Sequence, residues 1–183
     1  MKIEAIITDG HRAYPSIIET LGAIHQKCVF HKMQTLMKHV YKTMRKLNNK
    51  ITRCENDIEK NEIQISQFKE KNRGKKGRIS KNDRKRQKYS NRIKKLNKEN
   101  RSLRAEISEN KLKIKELKKY TDQISLMFRS KTKKTAMNRF QKLRDKIEKL
   151  PKEIASFIKK LSKDIDSALN RIEMRVFLIL ITN

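Results

Sequence analysis

The sequence predicts a mainly α-helical chain: a small α/β segment, a long antiparallel helical hairpin, and a short helical carboxyl-terminal segment. Two observations carry the hairpin. Apolar residues recur at alternating spacings of three and four in two long series, and a basic segment containing two glycines separates the series. A third observation excludes an all-β fold: 183 residues include only four Gly and two Pro, and 37% of them are charged.

The elements follow in chain order. Residues 2–9, KIEAIITD, read as a short strand ending at Asp9, and Gly10 permits a sharp turn after it. Tyr14, Ile17, Ile18 and Leu21 mark one face of a short helix, with Pro15 near its start and Gly22 just past its end. A second short strand is expected over Ile24–Val29, leading through Cys28 and His31 into the first long helix.

The first long series is Phe30, Met33, Met37, Val40, Met44, Leu47, Ile51, Cys54, Ile58, Asn61, Ile65 and Phe68. The second is Tyr89, Ile93, Leu96, Asn100, Leu103, Ile107, Asn110, Ile114, Leu117, Thr121, Ile124 and Phe128. Each is a coiled-coil seam, and the segment between them, residues 69–88, lets one fold back on the other. In an antiparallel pair, a positions layer against d positions. Setting Asn61 against Asn100 pairs Ile65 with Leu96, Phe68 with Ile93, Ile58 with Leu103 and Cys54 with Ile107. That register centres the turn near residues 80–81. A buried Asn pair costs stability and selects alignment.

A third helical stretch runs through Phe140, Leu143, Ile147, Leu150, Ile154, Phe157 and Leu161. Pro151 divides it, so Leu150 should end one helix and Pro151 should sit in the first turn of the next. The apolar run Val176–Ile181 breaks the pattern and reads either as a buried strand or as an aggregation-prone tail. Three regions result: 1–32, 33–128 with its basic tip at 69–88, and 129–183.

The net charge is +28. A charge this large opposes compaction and points to a polyanionic partner. Its distribution is uneven. Residues 1–32 hold 4 basic and 3 acidic residues, residues 33–128 hold 29 and 11, and the tip alone holds 11 and 2. Charged helix faces are commonly no more than solvated surface, but the tip exceeds what solubility requires. Lys75, Lys76, Arg78, Arg84, Lys85 and Arg86 are its candidate DNA contacts. The tip contains no aromatic residue, so contact with phosphates rather than bases is the expected mode.

Two Cys do not make a disulfide framework, and a reducing cytoplasmic setting is expected. Met1–Asp9 lacks the pattern of a signal peptide, and no apolar run reaches the roughly 18 residues of a spanning helix. No membrane partner is therefore expected.

On residue chemistry alone, Asp9 is either a turn residue or a functional carboxylate at the carboxyl end of a strand. Cys28 and His31 are either packed side chains or half of a metal site, since a zinc site usually needs four ligands. There is no Ser-His-Asp set, glycine-rich phosphate loop or Cys-x-x-Cys pair.

The string ITDGHRAYPSIIETLGAIHQKCVFHKMQ resembles the region around the second catalytic aspartate of DDE transposases. It is most similar to the Mutator-like and related prokaryotic insertion-sequence transposases. In that group a strand ends in T-D-G, a Tyr-Pro helix follows, and a C-x-x-H precedes a helical insertion. Thr8, Asp9, Gly10, Tyr14, Pro15, Cys28 and His31 carry the resemblance, which covers about residues 3–40.

The resemblance implies an RNase H-like core, of which residues 1–32 would be a remnant. The 33–128 hairpin would be the insertion before the final catalytic Glu. It also implies two Mg²⁺ ions held by three carboxylates for phosphoryl transfer on DNA. Only Asp9 matches a catalytic, metal-binding position. Cys28 and His31 match a motif whose role would be structural or target-binding. Glu148, Glu153 and Glu173 lack the context of the final Glu, so the resemblance implies a chain truncated at both ends and inactive by itself. A different class of protein shares the same hairpin: a non-enzymatic basic coiled coil that binds nucleic acid or acts as a scaffold. Self-association, through the coiled coil or through unpaired strand edges, is a further expectation.

Overall fold

The computed structural model describes residues 5–8, 14–22, 24–73 and 83–170. The expectations for Asp9, Gly10, Lys75, Lys76, Arg78, Glu173 and Val176–Ile181 lie outside these residues.

The order is β1 (Ala5–Thr8), α1 (Tyr14–Thr20), β2 (Ile24–Lys27), α2 (Val29–Lys71), α3 (Arg84–Phe128), α4 (Lys133–Arg144), a 3₁₀ turn (Ile147–Lys149) and α5 (Lys152–Leu161). Residues 165–170 are helical again. Strands β1 and β2 pair in parallel, with Ala5 opposite Ile24 and Thr8 opposite Lys27. Parallel neighbours need a crossover, and α1 supplies it. Gly22 closes α1 at φ +61°, the left-handed conformation glycine adopts without steric cost, and its N–H donates to the Glu19 carbonyl at 3.0 Å. The second strand stops at Lys27, two residues short of the expected end, because the Cys28 carbonyl already accepts the Lys32 N–H at 3.3 Å and α2 begins at Val29.

The described chain divides into two compact units, residues 1–43 with 115–183, and residues 44–114. Their borders cut across both long helices, inside the 33–128 region. In the first unit, the start of α2 and the end of α3 join α4 and α5 in one apolar core. Leu36, Val40, Ile124, Met127, Phe140, Ile154, Ile158, Leu161 and Leu169 are almost wholly buried. Leu36 and Met127 lie off the two seams, and they are buried because additional helices cover a flank that a two-helix pair would leave open. Phe30, the first residue of the expected seam, is 66% exposed, so the buried part of the seam begins further along α2.

Polar ties fasten this unit. Lys32 Nζ lies 2.8 Å from an Asp164 carboxylate oxygen, and the Thr43 hydroxyl donates to Glu153 at 2.7 Å. Thr132 caps α4 by accepting the Thr135 N–H at 3.2 Å. The Arg139 guanidinium donates to the Leu126 carbonyl in the last turn of α3 and to the Ser130 hydroxyl. The third helical stretch departs from expectation. Helix α4 ends at Arg144 rather than at Leu150, a 3₁₀ turn follows, and Pro151 is the N-cap of α5 rather than its first-turn residue. Proline disfavours helical backbone in the residue before it, and Leu150 accordingly takes the extended conformation.

The second unit is the hairpin proper. The Asn61 side-chain amide donates to the Asn100 side-chain oxygen at 2.8 Å, and both residues are buried. This is the expected register. Two ion pairs repeat it one heptad apart: Arg104 with Glu62 at 2.8 Å, and Lys111 with Glu55 at 3.7 Å. Ile51, Cys54, Ile65 and Leu96 are buried in the same seam. The Cys54 thiol is pushed above its usual pKa, first by burial and then by the neighbouring Glu106 carboxylate. Asn110 is also buried, but its amide nitrogen has no hydrogen-bond partner. The register that pairs Asn61 with Asn100 sets Asn110 opposite Ile51, which offers no acceptor.

Candidate nucleic-acid interface

The candidate interface is built on the amino-terminal half of α3. Asp83 starts the helix as its N-cap, its carboxylate accepting the Arg86 N–H at 3.1 Å and its carbonyl accepting the Gln87 N–H at 3.0 Å. Arg84, Lys85 and Arg86 then occupy the first turn, which contains no acidic residue. Helix chemistry disfavours this arrangement, because the first turn is the positive end of the helix dipole and stabilises anions. Residues 84–98 hold eight Lys or Arg and no carboxylate. The sequence therefore concentrates positive charge where helix electrostatics disfavour it.

Fold-back brings Phe68 of α2 against Tyr89 of α3. Their rings stack with centroids 5.5 Å apart and planes 23° from parallel. An open recess of about 770 Å³ lies beside this pair. Arg84, Lys88, Arg92 and Lys95 line it along with the two rings. The heptad series place Phe68 and Tyr89 on separate seams and set Phe68 against Ile93, one helical turn from Tyr89. The signal that could have found the pair was the flanking of a basic loop by two aromatic seam ends.

A second basic cleft, of about 270 Å³, belongs to the first unit. Lys119, Tyr120, Arg139, Lys142 and Lys146 are among the residues that line it. Its cations come from helices α3 and α4 and from the turn after α4, so no single sequence run announced it.

The other site candidates do not come together among the described residues. Cys28 is half-buried and His31 is exposed in the first turn of α2, with its ring edge-on to Phe30 at 5.8 Å. Among the described residues no three His, Cys, Asp or Glu side chains are grouped so as to hold a metal ion. Those residues therefore furnish no two-metal site. No described helix is long and apolar enough to cross a membrane. Comparison with known proteins returns no match among family models, curated proteins or solved structures.

Proposed function

We propose that this chain is a DDE-transposase-type polypeptide that binds DNA through the basic end of its helical hairpin. The observation that carries the DNA-binding reading is the run from Arg84 to Lys98, eight cations without a carboxylate, opened by a cationic first turn. Helix stability alone would not select it, whereas phosphate oxygens would neutralise both the side chains and the helix dipole. The transposase part rests on the order of elements. Strand β1 ends at Thr8, directly before Asp9; a parallel strand follows; and the long hairpin starts two residues after that strand. This order agrees with the arrangement that the T-D-G and C-x-x-H resemblance implies.

In such an enzyme Mg²⁺ would be held by carboxylates, with Asp9 as one of them. One matching carboxylate cannot hold two metal ions, so DNA cleavage by this chain alone is not expected. Mg²⁺-dependent cleavage that disappears in Asp9→Ala would overturn that expectation.

The binding experiment is a titration of duplex DNA at several salt concentrations. Affinity should fall steeply with salt, and replacing Arg84, Lys85 and Arg86 together by Ala should reduce the slope by about 2 to 3, close to one unit per lost phosphate contact. A flat salt dependence, or an unchanged slope in the triple variant, would remove the proposed surface. Terminal inverted repeats around the coding sequence would favour the transposase over a plain basic coiled coil.

A further inference from the structure

The aromatic pair at the end of the hairpin seam is the feature that phosphate binding leaves unused. Here the seam closes on Phe68 and Tyr89, both only partly buried, with the open recess beside them. The size of that recess, about 770 Å³, is within the range of small-ligand sites.

The charge around it is one-sided. Arg84, Lys88, Arg92 and Lys95 all line the recess, and no carboxylate does. Their spacing of four, four and three residues puts them on one face of α3, over roughly 16 Å at 1.5 Å per residue. None of the four forms an ion pair with a described residue. A single phosphate or a free nucleotide would engage only part of such a stripe. A run of phosphates would engage all of it. Gln87 and Asn91 line the same recess and offer amide groups that can donate to or accept from a base edge.

We propose that this recess binds single-stranded nucleic acid, with a nucleobase stacked on the Tyr89 ring and the flanking phosphates on Arg84, Lys88, Arg92 and Lys95. This rests on the reading that the hairpin binds nucleic acid, and it specifies the form bound. In a duplex the base faces are already covered by their neighbours. An aromatic ring beside a cationic stripe therefore adds affinity only where a base is free to stack. The cations alone would hold either form.

The test is fluorescence anisotropy with the full chain, an oligothymidylate of about 12 nucleotides, and a duplex of equal length. Tyr89→Leu keeps an aliphatic residue at the seam and removes the ring. It should weaken oligothymidylate binding about tenfold and leave duplex binding and its salt slope unchanged. Tyr89→Phe should restore the lost affinity. The chain contains no Trp, so Tyr89→Trp installs a single indole. Its emission should be quenched by the oligothymidylate and not by the duplex. Equal oligothymidylate affinity in Tyr89→Leu and the parent chain, or equal quenching by both nucleic acids, would overturn the stacking site while leaving phosphate binding intact. Absence of salt-dependent binding to either form would instead overturn the underlying DNA-binding reading. If Tyr89→Leu loses helical circular dichroism, the Tyr89→Trp quenching decides the question.

Discussion

The two compact units use the same two long helices in opposite ways. In the unit formed by residues 1–43 and 115–183, α2 and α3 are two members of a larger helical core, and its central side chains are apolar and nearly inaccessible. In the hairpin unit they have only each other. Several of its seam residues are half-buried, and its buried set includes Asn61, Asn100 and Asn110. The first arrangement gains stability from burial, since apolar area removed from water scales with the number of covering elements. The second gains alignment from polar layers and leaves its outer faces free to carry charge. A helix can thus be anchored by an apolar core at one end and aligned by polar layers at the other.

The largest expected effect tests the anchoring role. Phe140→Ala in the multi-helix core should cost about 3 to 5 kcal/mol in chemical denaturation, the range for deleting a buried aromatic side chain. If Phe140→Ala were neutral, the compact core of the first unit would not be the source of stability.

An intermediate effect, of opposite sign at two positions, tests the aligning role. Asn61→Leu strips Asn100 of its buried partner and should destabilise by about 1 to 3 kcal/mol. Asn110→Leu removes an amide that already lacks a partner, and should stabilise by about 1 kcal/mol. Thermal melts of both variants read this directly. Destabilisation by both would mean that Asn110 makes a contact its surroundings do not show.

The smallest effect concerns the hairpin surface. Glu62→Ala breaks the ion pair with Arg104, whose side chains are both more than half exposed, and should change stability by less than about 1 kcal/mol. A larger loss would shift the source of alignment from the Asn layer to surface charge.

Much of the hairpin was legible in the sequence because a two-helix pair obeys a one-dimensional rule. Heptad phase limits Asn61 to partners seven residues apart, Ile93, Asn100 or Ile107, and matching polar to polar selects Asn100. The first unit was less legible for the converse reason. Leu36 and Met127 became core residues only through helices that arrive later in the chain. Phe30 kept the seam period and still stayed exposed, because periodicity says which face could be buried and not whether anything covers it. The 3₁₀ turn before Pro151 was missed because spacing through Leu143, Ile147 and Leu150 fits both a continuing helix and a tighter turn. At the candidate interface, charge was visible as composition. The contact between Phe68 and Tyr89 was not, since it joins residues on either side of a segment that carries no aromatic side chain itself.

The Asn61–Asn100 layer has a consequence for the segment that joins the long helices. Alignment is fixed by a lock within the helices, so it does not depend on the number of residues in the connection. Insertions, deletions or wholesale exchange between residues 73 and 83 can therefore change what is displayed there without shifting the seam beneath. The hairpin behaves as a holder with an interchangeable connection, whose sequence can diverge while the Asn layer keeps the two long helices in one register.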